Sequence, residues 1–125
     1  NYLKFAERAR TEMVRTLGVE QEALRQNHGI VFVVRSCAVD FLRPARLDDL
    51  LVVETRVCRV SGARVDLQQE IRRITDPSAL TNGELLVTLS VRLASLNRTG
   101  RPVRLAGGVL QAFLRGMDSS VPASL

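Results

Sequence analysis

The hydrophobic pattern of this chain changes once, from a helical repeat to strand alternation. Over the first seventeen residues, apolar side chains recur at spacings of three and four, which is the period of one helical face. The members of this repeat are Tyr2, Ala6, Ala9, Met13 and Leu17. Asn1 is a favourable N-cap and Gly18 a favourable stop. The pattern therefore predicts one long helix that ends before Gly18.

Four strand-like segments follow a polar connector at residues 19–29. Residues 30–42 begin with five consecutive apolar residues, which is typical of a central strand covered on both faces. Further strands are predicted at 51–57, 64–74 and 85–93, and a short closing helix at 109–114. The cleanest alternation is in 64–74, whose expected dry face consists of Val65, Leu67, Gln69 and Ile71.

One long helix followed by four strands with short connections predicts an α+β domain with an antiparallel sheet. Leu3, Phe5 and Val14 add apolar side chains beside the main helical stripe, so we expect the sheet to wrap around the helix. This is the shape called a hot dog. Curved sheets of the cystatin or nuclear-transport-factor kind would give a similar pattern and stay open at this point. At 125 residues, the chain fits a single domain spanning 1–125.

The charge comes almost entirely from arginine. The formal net charge is +5, and Lys4 is the only lysine. Arginine suits phosphate-bearing partners, but the basic residues are dispersed among acids and aromatic residues make up only 4%. This argues against nucleic-acid binding. No apolar run approaches the roughly 20 residues of a membrane span, and no signal-peptide pattern is present, so we expect a soluble cytoplasmic protein.

Few residues offer catalytic or metal-binding chemistry on their own. Cys37 and Cys58 lie in strand-like segments and are predicted to be buried, reduced thiols. His28 has no carboxylate or serine partner at a recognisable spacing, which favours a structural or solvent-exposed role. Asp48 and Asp49 are adjacent in a turn and are expected to satisfy local backbone donors. No metal site is predicted.

Two separated motifs resemble a known family. Residues 1–12, NYLKFAERARTE, closely resemble the central helix of the 4-hydroxybenzoyl-CoA thioesterase-like hot-dog family, particularly its Tol-Pal-associated acyl-CoA thioesterase branch. Residues 43–49, RPARLDD, resemble the turn between strands in that branch. The resemblance runs in the right order over nearly the whole chain. It implies a hot-dog fold and hydrolysis of small or fatty acyl-CoA thioesters.

The resemblance also implies where catalysis occurs. The family places its catalytic aspartate in a loop shortly upstream of the helix, after a first strand, so we expect an N-terminally incomplete domain. Asn1 and Tyr2 are then expected to form the oxyanion site, because a helix N-terminus carries a partial positive charge of about half a unit. Glu7 lies near the position of the catalytic carboxylate in another hot-dog branch. Its alternative role is an exposed glutamate paired with Arg10.

A predicted hairpin supplies the candidate substrate-binding residues. The resemblance aligns it with the place where related thioesterases contact the phosphates of coenzyme A. The candidates are Arg59, Ser61, Gly62 and Arg64. The alternative is that these arginines only increase solubility. A second basic set follows the last strand and consists of Arg98, Arg101 and Arg104.

The expected partners are acyl-CoA and further copies of the chain. A wrapped sheet has an open edge strand that proteins usually cover or pair, and the family implies a homodimer or homotetramer. The active site would then lie at a subunit boundary, with the helix start from one chain and the hairpin arginines from either. Neither a metal nor a redox cofactor is expected. The rival hypothesis is a non-catalytic module that binds acyl-CoA or acyl carrier protein.

Overall fold

The computed structural model of the chain describes residues 2–46, 48–75, 83–105, 107–117 and 120–124. Within these ranges the elements form an α+β arrangement. In chain order they are α1 (Tyr2–Thr16), α2 (Gln21–His28), β1 (Val31–Phe41), β2 (Leu50–Ser61), β3 (Arg64–Ile74), β4 (Glu84–Leu96), α3 (Gly107–Gly116) and β5 (Ser120–Ser124).

The strands form one antiparallel sheet in the order β1-β4-β3-β2-β5. Its interior strand β3 shows the predicted alternation, and all four residues assigned to its dry face are buried. The sheet packs against α1 through a stripe that is buried in the core. That stripe consists of Phe5, Ala6, Ala9, Met13 and Val14. The prediction of a sheet wrapped around one long helix is confirmed, and this is the hot-dog arrangement.

The segment predicted as a polar connector contains a helix instead. None of the eight residues of α2 is buried, so the helix has no apolar stripe from which sequence periodicity could reveal it. It ends at Gly29, which has a left-handed φ of 67°. The side chain of Arg98 lies directly against the α-carbon of Gly29, so a larger residue there would clash as well as strain the backbone.

The prediction that residues 30–42 form a central strand is wrong. Among the described residues, strand β1 pairs only with β4 and forms an edge of the sheet. Val33 and Val34 are 38% and 47% exposed. The apolar run correctly indicates two hydrophobic faces. One face is partly covered, since the ring of Phe32 packs edge-on against that of Phe113 with centroids 5.6 Å apart, but most side chains of the strand stay exposed.

Both cysteines were predicted to be buried, and both are exposed as free thiols. Cys37 lies on the edge strand β1, which explains its exposure. Cys58 lies in β2 where the pairing register shifts between Val57 and Arg59. A bulge of this kind interrupts the alternation on which the prediction relied.

A second bulge changes which leucine of β4 is buried. The register with β3 shifts between Ile71 and Arg72, which leaves Leu86 as the extra residue. Leu86 is therefore fully buried, whereas strict alternation with Val87 and Leu89 would place Leu85 inward instead. The short closing helix predicted at 109–114 is confirmed within α3, and β5 was not predicted. Among the described helices, none is long and apolar enough to cross a bilayer.

Candidate active site

The two motifs that carry the family resemblance meet at the start of α1. The hydroxyl oxygen of Tyr2 accepts a hydrogen bond from the backbone N–H of Ala45 at 2.9 Å. The ring of Tyr2 packs against that of Phe41, with centroids 5.8 Å apart. We call this region, defined by these three residues, the helix-start end of the sheet. Asn1 lies outside the described residues.

The turn that receives Tyr2 is held in shape by Asp49. One carboxylate oxygen of Asp49 accepts hydrogen bonds from the backbone N–H of Arg46 at 2.5 Å and from the Arg73 guanidinium at 2.9 Å. The Arg46 N–H, followed by Arg73, lowers the pKa of the Asp49 carboxyl below its ordinary value. The predicted local structural role is confirmed for Asp49. Asp48 is exposed.

Glu7 is exposed on α1, one turn before Arg10. It borders a cavity of about 170 Å³ between α1 and β1, together with Arg10 and Phe32. Burial lowers the pKa of the Arg10 guanidinium, and the negative charge of Glu7 is among the influences that oppose this shift. The position of Glu7 therefore accommodates both roles considered for it, and its catalytic role stays a prediction.

A buried amide joins α1 to the sheet at the same level. Gln69 is fully buried and donates two hydrogen bonds of 3.0 Å, to the Ala6 carbonyl and to the Thr55 hydroxyl. Its carbonyl oxygen accepts a hydrogen bond from Arg10 at 2.9 Å. The sequence pattern placed Gln69 on the dry face but assigned it no role. A polar residue within an otherwise apolar strand face was the available signal for such a network.

The hairpin between β2 and β3 brings the four predicted substrate-binding residues together. Arg59 and Ser61 are exposed, and Arg64 is half-buried with its guanidinium 3.8 Å from Asp66. Gly62 adopts a positive φ of 61°, which the tight connection requires. Its carbonyl accepts a hydrogen bond from the N–H of Leu105 at 2.9 Å.

The hairpin and the helix start lie at opposite ends of the sheet. Arg64 of β3 is paired with Ala94 of β4, and Ala94 is paired in turn with Val33 near the beginning of β1. Phe41, which contacts Tyr2, lies eight residues further along β1. At about 3.3 Å per residue, the two regions are roughly 25 Å apart within one chain. Tyr2 and the hairpin arginines are therefore not adjacent in the monomer.

The second basic set lies at the same end as the hairpin. Backbone hydrogen bonds from Ser95 to Ala63 and from Leu105 to Gly62 join the segment after β4 to the hairpin. The side chains of this set are exposed, and they are Arg98, Arg101 and Arg104. We call this region, comprising the hairpin and residues 97–104, the basic end of the sheet.

His28 ends α2 and is exposed, in agreement with its prediction. It borders two adjoining cavities of about 450 and 440 Å³ next to α3, where Leu24, Gly108 and Val109 line both. No group of three or more histidine, cysteine or acidic residues within the described ranges is arranged to hold a metal ion.

A wrapped antiparallel sheet with one central helix defines a hot-dog domain. The chain belongs to the thioesterase superfamily, whose family model matches residues 1–79. This stretch contains α1, the turn at 43–49 and the β2–β3 hairpin. The crystal structure of a probable thioesterase from Bartonella henselae contains a chain that is 37% identical in sequence to this one. It superimposes with a TM-score of 0.70, covering 84% of this chain and 81% of that one.

Two curated relatives are also similar to this chain. An acyl-CoA thioesterase, YbgC, from Haemophilus influenzae is 47% identical over 74 residues, which are 59% of this chain and 54% of the relative. An acyl-CoA thioester hydrolase, also YbgC, from Escherichia coli is 38% identical over 87 residues, which are 70% of this chain and 63% of the relative. The chain thus spans between half and two thirds of the length of these relatives.

Proposed function

We propose that the protein of which this chain is part hydrolyses the thioester bond of acyl-CoA. The observation that carries the proposal is the contact between the two family motifs, made by the Tyr2 hydroxyl and the Ala45 N–H at 2.9 Å. Both motifs lie within residues 1–79, the stretch matched by the thioesterase family, and the chain is similar to two acyl-CoA thioesterases. The preference for small or fatty acyl groups is part of the proposal.

In the proposed mechanism, the start of α1 stabilises the oxyanion. A fifteen-residue helix places a partial positive charge at Asn1 and Tyr2, which polarises the thioester carbonyl. A carboxylate upstream of Asn1 either activates water for attack on this carbonyl or attacks it directly, and the C–S bond breaks to release coenzyme A. In the second route, water then hydrolyses the resulting acyl anhydride and frees the carboxylate. Glu7 is the second carboxylate candidate. This chemistry needs neither a metal nor a redox cofactor.

We further propose that β1 pairs with β1 of a second copy. The strand combines a free edge with exposed apolar residues, including Val33 and Val34 on its two faces. Two copies paired antiparallel through β1 would place the basic end of one subunit beside the helix-start end of the other. Dimerisation would therefore remove the separation of roughly 25 Å between the two halves of the site. A tetramer would be a pair of such dimers.

The basic end would bind the phosphates of the coenzyme. Arg59 and Arg64 offer forked donors, and Ser61 and the Gly62 N–H add neutral ones. We also place the reaction in the cytoplasm. Acyl carrier protein is the alternative carrier of the acyl group.

The test uses the full-length natural protein, including the residues upstream of Asn1. Thiol release is measured with short, long and aromatic acyl-CoA substrates. We expect turnover that is lost when the upstream aspartate is changed to asparagine and retained in Glu7→Gln. Arg59→Gln and Arg64→Gln should raise KM roughly tenfold with little change in kcat. Arg15→Gln removes the same charge from α1 instead of the hairpin and is the matched control.

Three results would contradict the proposal. Absence of turnover on every substrate, with coenzyme A derivatives still bound, would favour the non-catalytic binding module. Turnover that survives removal of the upstream aspartate but not Glu7→Gln would transfer the catalytic role to Glu7. A KM increase of equal size in Arg15→Gln would mean that net charge, rather than the hairpin, attracts the substrate.

A further inference from the structure

A cavity of about 240 Å³ opens on the face of the sheet that points away from α1. Three arginines from three different strands border it, and two alanines and a proline complete the lining. The lining residues are Arg35, Ala63, Arg64, Arg92, Ala94 and Pro102. We call this feature the arginine cavity. None of the roles considered above involves Arg35 or Arg92.

A bulge in β1 places Arg35 at this cavity. The register with β4 pairs Val34 with Leu93 and Ser36 with Arg92, so Arg35 is the extra, unpaired residue. Such bulges redirect a side chain relative to the regular alternation. Arg92 is paired with Ser36 on one side and with Asp66 of β3 on the other, which brings the arginines of β1 and β4 together.

The charges at the arginine cavity are not balanced. Arg92 donates a hydrogen bond of 2.9 Å to Asp66, whereas the Nε of Arg64 is 3.8 Å from the same carboxylate. That nitrogen is buried and has no hydrogen-bond partner among the described residues. In the ranges that the structure describes, no ion pair joins Arg35 to an acid. One carboxylate therefore faces three guanidinium groups, which leaves two positive charges in excess.

We propose that the arginine cavity binds a phosphate group. A dianionic phosphate would balance the two excess charges, and its oxygens accept the forked N–H donors of arginine in good geometry. It would also give the buried Nε of Arg64 the partner that this atom lacks. The small side chains of Ala63 and Ala94 leave the space in which the anion would lie.

Two sources of the phosphate share this chemistry. One is a free inorganic anion. The other is the nucleotide part of a coenzyme A thioester, and this source rests on the proposed function. Arg64 belongs both to the arginine cavity and to the basic end, so a coenzyme whose diphosphate lies on the hairpin could extend another phosphate into the cavity.

The binding test titrates the full-length protein with inorganic phosphate and pyrophosphate by calorimetry at constant ionic strength. We expect Arg35→Gln and Arg92→Gln each to weaken binding about tenfold or more. Arg35→Lys keeps the charge but loses the fork, and it should weaken binding less than Arg35→Gln. Arg15→Gln, on the opposite side of the sheet, is the charge-matched control and should bind like the wild type. Circular dichroism of each variant verifies that it is folded.

Three coenzyme fragments distinguish the sources. Coenzyme A carries a diphosphate and a 3′-phosphate, dephospho-coenzyme A lacks the 3′-phosphate, and pantetheine lacks all phosphates. If the nucleotide is the ligand, coenzyme A should bind at least tenfold more tightly than dephospho-coenzyme A, and this ratio should fall in Arg35→Gln. If the ligand is a free anion, pyrophosphate should bind as tightly as coenzyme A.

The proposal is overturned if no phosphate compound binds, or if Arg15→Gln weakens binding as much as Arg35→Gln does. It is also overturned if Arg35→Gln leaves phosphate binding intact but changes the sedimentation coefficient, because the cavity would then be a subunit contact. Hydrolysis of an acyl-N-acetylcysteamine thioester, which carries no phosphate, tests the thioesterase separately. Wild-type turnover of this compound without any phosphate binding would refute the arginine cavity and leave the hydrolase standing.

Discussion

Strands β1 and β3 are both eleven residues long, yet their composition and exposure are inverted. Eight residues of β1 are apolar but none is buried, whereas only four residues of β3 are apolar and all four are buried. β3 lies in the interior of the sheet, under α1, and β1 lies at an edge. A hydrophobic pattern therefore indicates that a strand is to be covered, but it does not indicate which molecule covers it.

The largest expected effect is the presence or complete absence of a covalent dimer, and it identifies the partner of β1. Cys37 lies next to the middle of β1, so antiparallel pairing of two copies would bring the two Cys37 thiols close together. Cys58, the other exposed thiol, lies on β2, which is paired on both sides within the chain. A short bifunctional thiol reagent should therefore link two chains of Cys58→Ser into a covalent dimer and leave Cys37→Ser monomeric on a denaturing gel.

Cross-linking that depends on Cys58 instead would mean that the subunits meet through another face. Monomeric sedimentation of the full-length protein at micromolar concentration would refute the pairing of β1 altogether. After either result, pairing with a second copy could no longer explain why the apolar residues of β1 are exposed while those of β3 are buried.

A matched pair of valine truncations measures the same difference thermodynamically. Val65 of β3 is fully buried, and Val34 of β1 is 47% exposed. Val65→Ala should lower the free energy of unfolding by about 2 kcal/mol at every protein concentration, because it leaves a cavity in the core. Val34→Ala should cost less than about 0.5 kcal/mol in dilute solution. Its cost should rise with concentration if a partner buries Val34.

Urea unfolding at two protein concentrations provides these numbers. If both truncations lower the free energy of unfolding equally in dilute solution, β1 is covered within the chain. A cost of Val34→Ala that stays small at high concentration would place Val34 outside the dimer contact.

The buried amide of β3 offers the next contrast. Gln69→Leu removes the partner of Arg10 and of the Thr55 hydroxyl, and groups left unsatisfied in the interior cost about 1–3 kcal/mol. Gln68→Leu, one residue earlier, changes the opposite face of the strand and should be nearly neutral. Unfolding free energies of the two variants test this directly. If Gln69→Leu and Gln68→Leu have equal free energies of unfolding, the hydrogen bonds of Gln69 contribute nothing to stability beyond the volume of its side chain.

Sequence reasoning succeeded where a pattern repeats and is satisfied within the chain. The helix and the alternation of β3 were predictable on these grounds. It failed at bulges, because an extra residue such as Cys58 or Leu86 shifts the alternation locally without a sequence signal.

The candidate site was predictable in its parts but not in its layout. The residues of the helix start and of the hairpin could be picked out from the family resemblance. Their separation of roughly 25 Å could not, because it depends on which end of β1 each region reaches. The arginine cavity was missed for a related reason, since Arg35 and Arg92 are far apart in sequence and are brought together by strand pairing and a bulge.

The smallest expected effect concerns the tie between the turn after β1 and strand β3. Asp49 accepts hydrogen bonds from Arg46 N–H and the Arg73 guanidinium, and its pKa is lowered in the folded state. The ionised form is therefore favoured by folding, so this stabilisation is present at neutral pH and is lost as the pH falls below about 4. Asp49→Asn should lower Tm at pH 7, and the difference from the wild type should shrink towards pH 3. Asp48→Asn, in the same turn, is the matched control and should show no such difference. A gap that stays constant from pH 7 to pH 3 would mean that the geometry of the side chain, not its charge, holds the turn against β3.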